Sequence, residues 1–235
     1  MDENLRAVVE ASQNIVFFGG AGVSTESGIP DFRSVDGLYS QKYKYPPEEM
    51  LSHDFFMNHT DKFYDFYREK MLHPDAKPNR AHIALAKLEQ MGKLRAVITQ
   101  NVDGLHQKAG SRVVLELHGS RYRYFCMSCG KNYGVEVVFE SGGAPGCGCG
   151  GLIRPDVVLY GEGLDPDVLK SSAHYVAQAD VLVIGGTSLA VYPAAGLIHH
   201  FRGSHLVLIN KPPTPMDDMA DLIFRESIGE VLSLD

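Results

Sequence analysis

Cys126, Cys129, Cys147 and Cys149 are the chain's four cysteines, and all lie in one short window with the spacing C-x2-C-x17-C-x-C. Two tight thiol pairs of this kind can close a tetrahedral shell around one Zn(II) ion and leave no position for water, which makes the implied zinc structural. Gly142, Gly143, Gly146, Gly148, Gly150 and Gly151 crowd the second pair and give its backbone room to turn. A redox dithiol is the rival reading, and a pair with a single-residue spacer fits it poorly.

A second group of residues could bind a nucleotide. The apolar run Ile15-Val16-Phe17-Phe18 feeds GGAGVSTESGIPDFR, residues 19 to 33, so a strand leads into a glycine turn of the type that brings backbone amides to a phosphate. Gly20 and Gly22 fit the dinucleotide spacing; Thr25 stands where a third glycine belongs, and Gly28-Ile29-Pro30 ends any helix at once. Taken alone, that turn is as consistent with close packing as with binding. Gly185-Gly186-Thr187-Ser188 ends another apolar run and supplies the polar turn that the other half of a dinucleotide needs. Asn210 ends a further run; it can bind a ribose or an adenine edge, or simply form a turn before Lys211-Pro212-Pro213.

Gln100, Asn101 and Asp103 follow Val97-Ile98 directly, and such groups are costly to bury without partners. An Asx turn explains Asp103-Gly104 but not the two residues before it. His118, in LELHGS, ends another apolar run, and an imidazole there can take a proton from a hydroxyl near neutral pH. There is no G-x-S-x-G elbow, H-E-x-x-H helix or Walker lysine, and the metal claims every thiol. If NAD is the ligand, hydride transfer and cleavage of the nicotinamide–ribose bond remain. Cleavage needs positioning, a dry site and one base, with no strong nucleophile. A glycine turn that opens into a loop bearing Phe32 and Arg33 suits it, because the loop can close over the nicotinamide end.

These turns must be carried by a scaffold. Apolar runs at 15–18, 94–99, 113–117, 157–160, 180–184 and 205–210 read as buried strands, and 79–91 reads as a helix with Ile83, Leu85 and Leu88 inward and Asn79 as its N-cap. Strand and helix alternate, which predicts an α/β fold with a parallel sheet whose polar turns converge at the carboxyl ends of the strands. The aromatic-rich residues 34–78 read as a helical insertion and 122–154 as the zinc module. The remainder, 1–33, 79–121 and 155–235, forms the main domain. The length of 235 residues suits one good core with a small appendage. With a formal charge of -7, no long basic cluster and no run of about 18 apolar residues, we expect a cytoplasmic chain with no membrane partner and no direct nucleic-acid binding.

The blocks GAGVSTESGIPDFR, TQNVDGLHQKAG, LHGS, RPDVVLYGE, GTSLAVYPA and LIN, with the four cysteines, resemble the signature blocks of the sirtuins. The resemblance covers residues 15 to 210 in family order. It implies a Rossmann-like domain with a small zinc-bearing and helical domain inserted, and NAD-dependent removal of acetyl groups from protein lysines, yielding nicotinamide and O-acetyl-ADP-ribose. By the same resemblance Ala21, Thr25, Phe32, Arg33, Gln100, Val102 and Asp103 would line the NAD and nicotinamide pockets. Thr187, Ser188, Asn210 and Ile228 would hold the adenosine half. His118 would be the general base, and Asn101 would orient the ribose and a water. An acetylated protein or peptide would pair as a strand between segments around Val158, Tyr160, Gly161 and Glu162 and around Leu189 and Val191.

Gly19 departs from the Thr or Ser that many members carry. The Tyr-x-x-Arg pair of members acting on acidic acyl groups is replaced by Tyr64-Asp65-Phe66-Tyr67, with Arg68 one residue on. That favours acetyl or a longer neutral acyl group over succinyl. Protein ADP-ribosyl transfer, a nicotinamide oxidoreductase and a non-catalytic binding module are the rivals. The oxidoreductase lacks the third glycine and an acidic residue closing a second strand.

Overall fold

The computed structural model describes residues 1–32, 34, 37–40 and 45–234. Six parallel strands, β1 (Ile15–Gly19), β2 (Leu94–Thr99), β3 (Val114–Glu116), β7 (Val181–Gly185), β8 (His205–Ile209) and β9 (Leu222–Phe224), form a sheet of order β3-β2-β1-β7-β8-β9. The chain moves outward from β1 in one direction and then restarts beside β1 in the other. The switch therefore lies between β1 and β7, where Gly19 sits opposite Gly185, and crevices outside such a point are where ligands bind in open parallel sheets.

Period-two alternation builds two cores. Ile15 and Phe17 face one side, with α1 (Glu3–Ala11), α5 (Arg80–Gln90) and α9 (Ile228–Val231) over them. Val16 and Phe18 face the other, covered by α8 (Pro166–Gln178) and a 3-10 segment at Ala194–His200. The four inner strands, β2, β1, β7 and β8, are largely buried on both faces, so they read as nearly unbroken apolar runs. Asn79 caps α5 as expected, accepting from the Ala81 amide at 2.9 Å. Of the three apolar residues expected inward, Leu85 and Leu88 are buried, whereas Ile83 is 43% exposed, because its position points away from the stripe that α5 lays on the sheet.

A third core joins the helical insertion, α2 (Pro47–Met50), α3 (His53–Asn58) and α4 (Thr60–Phe66), to the cysteine segment with α7 (Glu136–Glu140): Phe56, Phe63, Tyr64 and Tyr67 pack against Tyr124, Val138 and Ile153. A small antiparallel sheet, order β5-β4-β6, with β4 (Gly119–Cys126), β5 (Asn132–Tyr133) and β6 (Ile153–Val157), carries Cys126 at the end of β4, and the other cysteines lie in the turns beside it. The run 157–160 is thus not a strand of the main sheet. Its apolar residues continue β6, which pairs antiparallel with β4, and only Tyr160 goes on to an isolated bridge with Ser52.

Between α5 and α6 (Leu105–Ala109) lie two buried imidazoles that the sequence did not single out. The His82 and His106 rings are 4.7 Å apart. Both ring nitrogens of His106, and Nε2 of His82, find no hydrogen-bond partner among the described residues. Burial drives both pKa values down, to about 4 for His82 and about 3 for His106, the latter lowered further by His82.

Candidate active site

The two glycine turns meet backbone to backbone. The Gly20 amide donates to the Gly185 carbonyl (3.1 Å) and the Gly22 amide to that of Gly186 (2.8 Å). A Cβ at Gly22 would stand 2.7 Å from Gly186 Cα, and one at Gly20 2.8 Å from the Gly186 carbonyl. The glycines are therefore what allows the two halves of the switch point to close on each other. Beyond them Ala21–Val23 and Thr25–Ser27 form single 3-10 turns, not a long helix, and Gly28 ends them at φ 79°. The Thr25 hydroxyl closes back on the Gly22 carbonyl at 3.0 Å. Phe32 lies edge-on to Tyr39 with ring centroids 5.7 Å apart; Arg33 lies outside the described residues.

The polar residues after β2 turn inward and satisfy one another. Asn101 Nδ2 donates to Ser24 Oγ (3.1 Å), which donates to Asp103 Oδ2 (2.6 Å), while the Leu105 amide donates to Asp103 Oδ1 (2.9 Å). All three side chains are buried. Ser24 was absent from the expected set, since nothing in the sequence separates it from its neighbours Val23 and Thr25; only the fold sets it between two strand ends. Gln100 reaches across β1, its Nε2 donating to Thr187 Oγ1 at 3.0 Å, and so ties the β2 turn to the β7 turn. The Val102 carbonyl accepts from the Arg121 amide at 3.0 Å.

His118 follows β3 and leans onto this network. Its Nδ1 lies 2.9 Å from the Gln100 carbonyl, an acceptor, so Nδ1 carries the proton and Nε2 keeps its lone pair. Burial lowers its pKa below 6.5, against a partial upward effect of the Gln100 bond. The imidazole is neutral near pH 7 and ready to accept a proton. The His118 carbonyl accepts the Val158 amide at 3.0 Å, which links the base to the segment expected to pair with a peptide.

Two expected nucleotide contacts serve the fold through their side chains. Asn210 Nδ2 donates to the Pro212 carbonyl at 2.9 Å, which is the turn-forming role. Ile228 is 5% exposed within the α5 core, where its Cδ1 would touch a Cβ placed on Gly185. Thr187 is buried, and Ser188 half-buried, at the mouth of the β7 turn.

The segment Val158–Glu162 is strongly braced. The Tyr160 amide donates to the Leu51 carbonyl and the His53 amide to the Tyr160 carbonyl, each at 3.0 Å. Glu162 accepts from Arg154 Nη1 (2.7 Å), Arg154 Nη2 (2.9 Å) and the Leu159 amide (2.9 Å), with His53 Nδ1 at 2.8 Å. Burial works against its charge, but these partners prevail and hold the carboxyl at about 2. Its side chain is consumed in positioning the turn. Gly161, at φ 91°, keeps its backbone at the edge. A cleft of about 610 Å³ opens beside it, walled by Phe125, Val157, Val158, Gly161 and Leu164 among others. In the other segment expected to hold the peptide, Leu189 is buried with φ 55°, and its amide donates to Thr187 Oγ1 at 3.2 Å, so it offers no extended edge. Val191 is half-buried with its carbonyl capping Ala195.

The four cysteine sulfurs lie within 4.8 Å of one another, with Cys126–Cys149 at 3.5 Å and Cys129–Cys147 at 3.7 Å. Zn–S bonds of about 2.3 Å in a tetrahedron put sulfurs about 3.8 Å apart, so the set fits zinc. The Tyr133 hydroxyl donates to Cys147 Sγ at 3.0 Å, and Gly151 passes where a Cβ would strike Cys126 Sγ at 2.6 Å.

The Sir2 family profile matches residues 20–193. The NAD-dependent protein deacetylase of Clostridium acetobutylicum is 59% identical over 232 residues, spanning 97% of this chain and 95% of its own. A solved structure of Sir2 with a p53 peptide and NAD+ is 42% identical with a TM-score of 0.87, over 99% of this chain and 96% of that one. A structure of Sir2 bound to an acetylated peptide is 40% identical with a TM-score of 0.87, again over 99% and 96%.

Proposed function

The chain belongs to the Sir2 family, and from that membership and the geometry of the cleft we infer an NAD-dependent protein deacetylase. It transfers the acetyl group of a protein lysine to the ADP-ribose of NAD and releases nicotinamide. The observation that carries this reading on the chain's own atoms is the neutral His118, with Nδ1 committed to Gln100 and Nε2 without a partner among the described residues, at the edge of a switch point closed by two glycine turns.

Roles follow from position. NAD supplies an activated glycosidic bond, since nicotinamide leaves as a neutral ring. Gly20, Ala21, Gly22 and Gly186 form the backbone floor for its diphosphate, and Thr187, Ser188 and Asn210 flank the adenosine half. Thr25, Phe32, Arg33, Gln100, Val102 and Asp103 enclose the nicotinamide end, with Ser24 fixing Asn101 against Asp103. His118 takes the proton from a ribose hydroxyl, and Asn101 orients that ribose. The acetyl-lysine peptide lies along Val158 and Gly161, opposite the Leu189–Val191 turn. Glu162 and Tyr160 act by holding the segment and do not contact the peptide through their side chains.

The acyl group is acetyl or another neutral chain. Tyr67 is buried, Tyr64 donates to the Ile153 carbonyl at 2.6 Å, and the Arg68 guanidinium bonds to the Val138 and Gly143 carbonyls and Ser141 Oγ. Arg68, the cation that falls beside the altered position, is thus committed to the fold. The four cysteines hold a structural zinc. The small domain comprises residues 34–78 and 122–154; the cytoplasm is its place of action, and nucleic acid is not a direct partner. No helix among the described residues is long and apolar enough to cross a membrane.

Incubating the protein with an acetyl-lysine peptide, with and without NAD, and following peptide mass and free nicotinamide together tests the reading. Equal loss of acetyl and release of nicotinamide supports it. Label from NAD left on a protein side chain would instead indicate ADP-ribosyl transfer.

A further inference from the structure

The backbone of Tyr160 is fully used by Leu51 and His53, yet its ring is 39% exposed and its hydroxyl lies 2.6 Å from that of Tyr39. Each tyrosine is anchored at its own end. The Tyr39 amide donates to the Phe32 carbonyl and the Leu38 amide to the Asp31 carbonyl, both at 2.9 Å, while the Tyr39 ring packs edge-on against Phe32. On the other side Tyr160 sits inside the turn that Glu162 fixes through Arg154, His53 and the Leu159 amide. The hydroxyl pair therefore adds a direct polar link between two anchored units, one carrying Phe32, which packs on the core that includes Leu51 and Leu159, and the other facing the peptide cleft.

We propose that the Tyr39–Tyr160 hydrogen bond couples the two substrates: Tyr160 is a positioning residue through which an acetyl-peptide on the Val158–Gly161 edge sets Phe32 for NAD, and NAD sets that edge for the peptide. This rests on the deacetylase reading above, which puts the nicotinamide end at Phe32 and the peptide at Gly161. Physically, a peptide seated along the edge restrains Tyr160, and the shared hydrogen bond passes that restraint to Tyr39 and Phe32. The ordering needed to bind the second ligand is then partly done. The coupling must be reciprocal. A net hydrogen bond between neutral groups corresponds to a coupling factor of about 3- to 10-fold.

The test measures peptide binding by calorimetry with and without a carbocyclic NAD analogue that cannot lose nicotinamide. In the unaltered protein the analogue tightens the peptide. Tyr160→Phe, which removes one oxygen and keeps the ring, is expected to lower that tightening about 3- to 10-fold with little change in melting temperature. Tyr39→Phe should match it, and the double variant should lose no more than either single one, as a shared bond requires. An unchanged coupling factor in Tyr160→Phe, or additive losses in the double variant, would overturn the proposal. If the unaltered protein bound neither the peptide nor the analogue, the deacetylase reading itself would fail and take the coupling with it. Binding of both with no mutual effect would leave that reading standing and sink the coupling alone.

Discussion

Acid should weaken this fold through two buried rings, of which His106 makes no hydrogen bond among the described residues and His82 only those of Nδ1 within the Asn79 cap. His82 and His106 are completely or almost completely buried, 4.7 Å apart, and their pKa values fall from 6.5 to about 4 and about 3. In the unfolded chain each ring takes up a proton as pH falls through about 6.5, while in the folded chain each stays neutral until pH nears 4 or 3. The unfolded state thus binds more protons, and stability is full above about 6.5 and falls as pH drops through the window below it. Near pH 5.5 the imbalance is nearly one proton per ring, or on the order of 1 kcal/mol per pH unit each. From about pH 6.5 to 4.5 the pair removes roughly 4 kcal/mol, a large share of the ~5–15 kcal/mol that holds a domain together. Urea midpoints measured across this range should therefore drop steeply. His106→Phe, which suits a site already facing Phe17 at 6.2 Å, should keep most of its stability at neutral pH and show a clearly shallower drop. Carboxylates titrate in both proteins, so the difference between the two curves isolates the ring. Parallel curves would refute the reasoning. The consequence reaches the cleft, because Asn79, which shares the α5 cap with His82, donates Nδ2 to the Val23 carbonyl of the glycine turn at 2.8 Å.

Replacing His118 with Ala should lower kcat about 10²- to 10⁴-fold while binding of the carbocyclic NAD analogue is largely kept, read by stopped assay and calorimetry. Because burial lowers the His118 pKa, the acidic limb of kcat/KM should fall below pH 6.5; a limb centred above that value would contradict a neutral base. Gly22→Ala forces a Cβ to within 2.7 Å of Gly186 Cα, so both NAD affinity and melting temperature should fall, and an unshifted melting curve would show that the turns do not pack as described. Chelation of zinc should release one ion per chain and loosen the aromatic core around Tyr124 and Val138, followed by near-ultraviolet circular dichroism. Succinyl peptides should turn over more slowly than acetyl peptides, and the reverse order would show that some other cation faces the acyl pocket.

The main sheet was legible because buried parallel strands are apolar on both faces, and their runs stand out without any alternation to decipher. β9 was not, since Leu222–Phe224 is short and partly exposed at an edge. The run 157–160 misled for a related reason: apolar content marks burial but not which sheet a segment joins, and β6 owes its place to antiparallel pairing with β4. Ile83 shows the complementary limit. Three apolar residues near helical spacing define a stripe only when all lie within it, and Ile83 falls outside the one that Leu85 and Leu88 share.

At the site, residue type indicated chemistry better than it indicated contact. Glycines at 20, 22 and 186 suggested either binding or packing, and the structure shows why that choice could not be read from sequence. Two turns that press together through hydrogen bonds of 2.8 and 3.1 Å need the same absence of Cβ as turns that admit a diphosphate, and at a switch point one arrangement creates the other. Glu162 shows the same ambiguity for a charged side chain. A carboxylate beside a peptide edge suggests recognition, yet with Arg154, His53 and the Leu159 amide already upon it, it has little left to offer a ligand and acts by fixing the turn. Ser24 is the converse: an unremarkable hydroxyl in the sequence becomes, once β1 and β2 are side by side, the bridge that matches buried Asn101 Nδ2 to buried Asp103 Oδ2.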